Sequence, residues 1–200
     1  MTIISRDYFI RNDTLWMARD LIGKYLCTRL NGNTVTAGII TETEAYLGSV
    51  DRASHAYGNR RTARTNTMFM AGGIAYVYLC YGIHHLFNIV TNTENIPHAI
   101  LIRGIFPVDG LEIMEQRIQK KLPLHLNGPG KLTLALGIKT LHDATSLEGG
   151  TIWLEDRSLL IDPKLVKTTP RIGVDYAGED ASLPWRFVLD NVDCLKRVDP

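Results

Sequence analysis

Two carboxylates and an aromatic ring alternate in the segment Thr41-Glu42-Thr43-Glu44-Ala45-Tyr46. On a strand, side chains point to opposite faces in turn, so Glu42, Glu44 and Tyr46 share one face. Two carboxylates beside a ring could leave one of them with a raised pKa, suited to general-base work. Spacing alone favours a plainer alternative, the solvated face of a half-exposed strand, because buried carboxylates are uncommon.

A second cluster follows. Tyr46, Tyr57, Phe69, Tyr76, Tyr78, Tyr81 and Phe87 are interleaved with Arg52, Arg60, Arg61 and Arg64. Bases stack on aromatic rings for about 1–3 kcal/mol each, and arginines neutralise phosphates, so the mixture suits a nucleic-acid footprint. A tyrosine-rich strand packed in a core accounts for the composition equally well. Tyr76 and Tyr78 would share a strand face. Tyr81, just before Gly82, falls at a turn, where an exposed ring could wedge into a base stack. The segment Asn127-Gly128-Pro129-Gly130-Lys131-Leu132 is not a nucleotide-binding loop: His125 stands where glycine is needed and Leu132 where a hydroxyl would hold magnesium. A helix N-terminus there, with Lys131, could meet a DNA phosphate, although helix punctuation is the plainer reading. His84 and His85 point apart on a strand with no cysteine pair beside them, so no metal is expected.

The elements that must position these groups are legible in outline. Asn12 or Asp13 caps a helix over about Thr14 to Ile22, and Gly23 stands where it would stop. Lys24 to Leu30 reads as a strand, Asn31-Gly32 as a hairpin turn, and Val35 to Tyr46 as a long return strand. Leu47 to Thr67 is polar, arginine-rich and irregular, and a loop of about 20 residues is often functional. Ile74 to Cys80 and Leu86 to Thr91 predict two strands joined through Tyr81-Gly82. Ala99 to Phe106 predicts another strand, Asp109 to Lys120 a helix, and Lys131 to Leu136 a short helix. Thr151 to Leu154, Arg171 to Gly173 and Arg186 to Leu189 suggest short strands. Helices and strands do not alternate as βαβ units, so the fold class is α+β: one β-rich domain over residues 1–200, with a curved, mainly antiparallel sheet and flanking helices.

Composition sets the bounds. At 45% hydrophobic and 22% charged, the chain can bury a core. The balance of 22 Lys and Arg against 21 Asp and Glu is less basic than a dedicated nucleic-acid binder usually is. Distribution changes that reading, because Arg52 to Arg103 holds five arginines and four histidines (His55, His84, His85, His98) against the single carboxylate Glu94. One face could be basic on a nearly neutral molecule. Cys27, Cys80 and Cys194 form no close pair, which fits a reducing compartment. With no signal pattern and no span-length apolar run, a soluble cytoplasmic protein without a membrane partner is expected.

Taken in order, these residues resemble the alkyladenine (3-methyladenine) DNA glycosylases. The likeness runs through Glu42-Thr43-Glu44-Ala45-Tyr46-Leu47-Gly48, Asp51, His55, Arg60, Thr62, Asn66 and Met68-Phe69. It continues through Tyr76-Val77-Tyr78, Tyr81-Gly82, Asn88, Leu101-Ile102-Arg103, Gly128-Pro129 and Lys131-Leu132. It covers most of the chain, to the strand near Trp185-Arg186-Phe187. No single motif decides it, but the ordered combination is specific. The stretch between Asn88 and Ala99 is slightly longer than the family's, a difference expected to lie in a loop.

The resemblance implies a monofunctional hydrolase that flips an alkylated purine, and in some cases a deaminated one, out of duplex DNA. It would cut the N-glycosidic bond without a lysine imine and leave an abasic site. The general base falls on Glu44, with Arg103 helping to position water. Tyr46 takes one face of the base, His55 and Tyr78 the other. Asn88 crowds the exocyclic amino group of undamaged guanine, and Tyr81 is the wedge. Arg60, Arg64 and Lys131 are candidate DNA contacts. The implied partner is double-stranded DNA containing damaged purines; no cofactor and a monomer are expected. From the residues alone two other readings stay open. One is a nucleic-acid-binding module without catalysis, built on the tyrosines and arginines. The other is a nucleoside hydrolase or glycosidase built on Glu42 and Glu44.

Overall fold

The computed structural model describes residues 1–30, 32 and 34–197. Along the chain run β1 (Thr2–Ile3), α1 (Arg6–Phe9), α2 (Thr14–Asp20), β2 (Tyr25–Thr28), β3 (Thr36–Tyr46), β4 (Ile74–Cys80) and β5 (His84–Thr91). Then come β6 (His98–Asp109), α3 (Leu111–Ile118), β7 (Leu126–Asn127), α4 (Pro129–Leu136), β8 (Ile152–Asp156), β9 (Val166–Thr169) and β10 (Arg186–Leu189). Short 3-10 turns fill several connections.

Helix α2 begins where Asp13 accepts the Trp16 N–H at 2.9 Å, satisfying one of the free donors of the first turn. It buries Met17 and Ala18, and Leu21 just past its end is buried with them. Thr43 Oγ1 donates to Ala18 O at 2.6 Å, which docks the helix on β3. Gly23 follows at φ +91°, and a Cβ there would stand 2.6 Å from Ile161 Cγ1, so both conformation and space call for glycine. Asn31, the first residue of the hairpin signal, lies outside the described residues.

The ten strands among the described residues form one antiparallel sheet, curled like half a barrel. Its main path is β1-β8-β2-β3-β6-β5-β4; β7 adds to β6, and β10 pairs with both β3 and β9. Strand β3 is central. Its first residues pair with β2, its last with β10, and its other edge lies along β6. That placement explains why it is buried almost throughout, whereas a strand with one wet face would alternate.

The register between β3 and β6 slips between Ile40 and Glu42 and again between Glu42 and Thr43, leaving Thr41 and Arg103 as extra residues on their strands. Such bulges bend a strand and re-aim side chains. Here they bring the Arg103 guanidinium onto the two glutamates.

The long connection from Leu47 to Met70 has only three 3-10 turns, as its composition predicts. Three expectations need correction. The helix expected over Asp109 to Lys120 spans only Leu111–Ile118, because Asp109 still pairs with Ala37 at the end of β6. Arg171 to Gly173 is not a strand; the strand lies before it, at β9, because the Arg171 side chain and the Ile172 N–H bond to the strand β3 region and the following loop rather than into a ladder. The helix after Asn127 starts at Pro129 instead of Lys131, since proline suits the first helical position. Between Asn88 and Ala99 the chain finishes β5 at Thr91 and begins β6 at His98, with a short connection between them. No helix among the described residues is long and apolar enough to cross a membrane.

Candidate active site

One row of side chains crosses the sheet at right angles to the strands. The register aligns Tyr76 of β4 with Asn88 of β5, Asn88 with Leu101 of β6, Leu101 with Glu44 of β3, and Glu44 with Arg186 of β10. Directly paired residues point to the same face of a sheet. Above this row opens a cavity of about 670 Å³, within the range of roughly 300–1,000 Å³ common for ligand sites. Its floor is Asn88, Leu101 and Arg103, and Tyr46 closes one side. His55, Tyr76 and Tyr78 form the opposite wall, while Ile172 to Val174 and the start of α4 shape the rim.

Glu42 and Glu44 are 2% and 0% exposed, so the solvated-face reading of this strand is wrong. The central position of β3 buries both, with Arg186 of β10 against Glu42 and the 171–182 segment against Glu44. Their surroundings differ. Glu42 Oε1 accepts Arg103 Nε–H at 2.9 Å and Arg186 Nε–H at 2.7 Å, so it is a structural anion between two cations. Glu44 Oε2 accepts the Tyr46 hydroxyl at 2.8 Å and its Oε1 accepts the Ile172 N–H at 2.8 Å, with Arg103 Nε at 3.4 Å. Burial pushes the Glu44 carboxyl above the usual range, opposed by Arg103, the Ile172 amide and the Tyr46 hydroxyl. Glu44 sits just behind the surface formed by Tyr46, Arg103 and Ile172, all of which line the cavity.

On the far wall, His55 Nδ1 is 2.9 Å from the Tyr76 hydroxyl, and the imidazole meets the Tyr78 ring edge-on at 4.7 Å. Burial, helped by Arg64 and Arg60, lowers the His55 imidazole to about 4, so it is neutral at physiological pH. Burial likewise raises the phenols of Tyr46 and Tyr78, which stay protonated. The cavity therefore offers neutral rings on two sides and one carboxylate behind a third. Asn88 is fixed by Nδ2, which donates to Tyr76 O at 3.1 Å and to Leu86 O at 3.4 Å.

The remaining candidates spread around the mouth. Tyr81 stands at the β4–β5 tip with φ +50° and is 92% exposed. Arg64 lies 4.7 Å over the Tyr78 ring, and Lys131 lines the cavity from α4. A Cβ on Gly130 would meet the His84 ring at 2.9 Å, so only glycine lets α4 approach the hairpin this closely. Arg60 is exposed on the loop and does not line the cavity. The structure thus gathers Arg103, Tyr46, His55, Tyr78 and Asn88 around one space, with Tyr81, Arg64 and Lys131 also lining it and Glu44 directly behind Tyr46, Arg103 and Ile172.

The family model for methylpurine-DNA glycosylases matches residues 8–193. The chain belongs to the methylpurine-DNA glycosylase family. It is similar to proteins that carry the provisional name 3-methyladenine DNA glycosylase in several organisms. That of Chlamydia felis is 46% identical, over 98% of this chain and 100% of its own length. That of Chlamydia abortus is 44% identical, over 94% and 98%. That of Clostridium perfringens is 40% identical, over 93% and 95%. With this membership goes the activity of a DNA glycosylase on alkylated bases, a hydrolase of N-glycosyl bonds in DNA repair.

Sequence reasoning missed several residues of this glycosylase's cavity region. Arg171 forms a wholly buried pair with Asp51, Ile172 supplies the amide on Glu44, and Tyr176 and His84 line the rim. Arg171 carries no periodic signal; its partners Asp51 and Ala45 lie 120 and 126 residues away.

Proposed function

We propose that this chain, as one glycosylase domain, removes alkylated purines, 3-methyladenine among them, by flipping the nucleotide into the cavity between Tyr46 and the His55–Tyr78 wall. The observation that carries the reading is Glu44, a wholly buried carboxylate bonded to Tyr46 and the Ile172 amide, both of which line a ring-walled cavity. Acting as general base, the ionised carboxylate takes a proton from a water that attacks the sugar carbon. Its charge also favours the oxocarbenium-like state reached as the base departs. Arg103 favours the ionised form of Glu44 against its burial and helps to place the water.

A purine alkylated at N3 or N7 is cationic, stacks well on electron-rich rings and leaves as a neutral base. A deaminated purine is neutral and needs a proton to leave, which makes it the slower substrate. Asn88, fixed from below, crowds the exocyclic amino group of undamaged guanine. Tyr81 fills the gap in the stack, and Arg60, Arg64 and Lys131 hold phosphates. Flipping costs a few kcal/mol, least where the pair is already weakened. The protein works as a monomer, leaves an abasic site and does not cut the strand.

The test is chromatography of bases released from methylated genomic DNA by the full chain, with Glu44→Gln alongside. Release of 3-methyladenine by the native chain only, and strand breaks only after alkali, is the expected result. Breaks without alkali, or no released purine, would sink the proposal.

A further inference from the structure

Arg171 is wholly buried and stands off the cavity surface, yet it touches three of the strips around Glu44. Its Nη1 donates to Ala45 O at 3.0 Å and to Asp51 Oδ2 at 2.6 Å. Its Nη2 donates to Asp51 Oδ1 at 2.9 Å and to Asp180 O at 3.2 Å. The guanidinium lies 4.8 Å from the Tyr46 ring and 5.0 Å from that of Trp185. Asp51 in turn accepts the N–H of Leu47 at 3.1 Å and of Ala53 at 2.9 Å, two residues before His55. One ion pair thus ties the end of β3, the loop carrying His55, and the segment carrying Ile172.

Stability alone does not account for this pair. Buried ion pairs are often replaceable by apolar residues without loss. Arg171 Nε is buried with no acceptor among the described residues, so the guanidinium is held through its two Nη groups. Only a planar guanidinium can meet a carboxylate through two parallel bonds while lying against a ring.

We propose that Arg171, held by Asp51, is a positioning residue: it fixes the Ile172 amide on Glu44 and the Tyr46 ring beside it, so that the carboxylate meets the cavity in one orientation. The inference rests on Glu44 acting as the base. The groups around Glu44 are Glu42 and Tyr46 on its own strand, Arg103 of β6, Arg186 of β10 bound to Glu42, Arg171 behind the Ile172 amide, and Tyr176 farther along the same segment. His125, ahead of β7, bonds to Thr41 and faces Glu42. If Arg171 no longer holds its segment, Glu44 loses the Ile172 N–H, a contact that favours its ionised form.

The experiment uses the full chain with Arg171→Lys and with the double change Asp51→Asn/Arg171→Met, which leaves no unpaired charge. Single-turnover release from methylated duplex DNA is followed from acid to mildly alkaline pH, with duplex affinity measured in parallel. The expected result for both is a rate lowered on the order of ten- to a hundredfold, an acid limb displaced to higher pH, and unchanged duplex affinity. A folded variant that keeps the native rate and limb, or loses rate with the limb in place, overturns the positioning role. Failure of both variants to fold would assign the pair to the fold alone and overturn it as well. Absence of release by the native chain would instead sink the glycosylase reading on which the inference rests.

Discussion

The hydroxyl of Tyr46 donates a 2.8 Å hydrogen bond to Glu44, two residues earlier on the same strand. Because β3 side chains alternate, the ring that walls the cavity and the carboxylate behind it come as a unit. Tyr46→Phe keeps the ring and removes the bond. Hydrogen bonds to charged groups contribute about 1.5–3 kcal/mol, so Glu44 should become harder to ionise. The acid limb of single-turnover release should move up by on the order of one pH unit, with little change in damaged-duplex affinity. An unmoved limb would mean that this contact does not hold the reactive form.

The two glutamates should part company on substitution. Glu44→Gln should cut release by about 10²–10⁴-fold, the usual contribution of a general base, while duplex affinity persists. Its stability follows the opposite course. Burial raises the folded carboxyl above its unfolded value, so the stability linked to Glu44 is full below the unfolded pKa and is lost as pH rises through the folded one. The glutamine chain should therefore gain in melting temperature relative to the native chain as pH goes from acid to neutral. Glu42→Gln removes the shared partner of Arg103 and Arg186. Breaking such a buried pair costs about 3–5 kcal/mol, yet release should survive. Activity lost with Glu42→Gln and kept with Glu44→Gln would reverse the assignment.

How far the sequence could be read varies with the range of the interaction. The bounds of β4 and β10 were legible to the residue, and Asn12 or Asp13 marked the start of α2, because strand-forming runs and helix caps are local signals. The burial of Glu42 and Glu44 was not legible, since it depends on β10 and the 171–182 segment, which close on β3 from far along the chain. The aromatic cluster divides residue by residue. Phe87 and Phe69 are core, Tyr46, Tyr76 and Tyr78 are walls, and Tyr57 and Tyr81 are exposed. Composition could not make that division. The short strands β1 and β7 carry too few residues for any period to register.

Tyr81 offers a prediction almost free of folding effects, because its ring is 92% exposed. Tyr81→Ala should leave the melting temperature unchanged. It should weaken binding to damaged duplex by about 1–3 kcal/mol, the contribution of one stacked ring, and weaken single-strand binding less. Lys131→Ala should act through charge instead, lowering the salt slope of duplex binding by about 0.9 for one phosphate released. Equal losses of duplex and single-strand binding with Tyr81→Ala would argue against a wedge.

Asn88 tests what the cavity rejects. It sits between Tyr76 and Leu101 in the transverse row, and Nδ2 is tied to two carbonyls of the hairpin, so its carboxamide cannot swing aside. A rigid group at that place acts by refusal: a purine with an extra amino substituent must displace it or stay out. Asn88→Ala removes the obstruction and its hydrogen bonds, at a stability cost of about 1 kcal/mol per bond lost. Hypoxanthine and 3-methyladenine lack the amino group that guanine carries at the crowded position, so their release should change little. Release of undamaged guanine, measured from the same unmethylated duplex, should rise. The decisive quantity is the ratio of guanine to hypoxanthine release, because a general loss of activity lowers both alike. A ratio that stays at the native value would remove Asn88 from the discrimination and leave stacking to account for it.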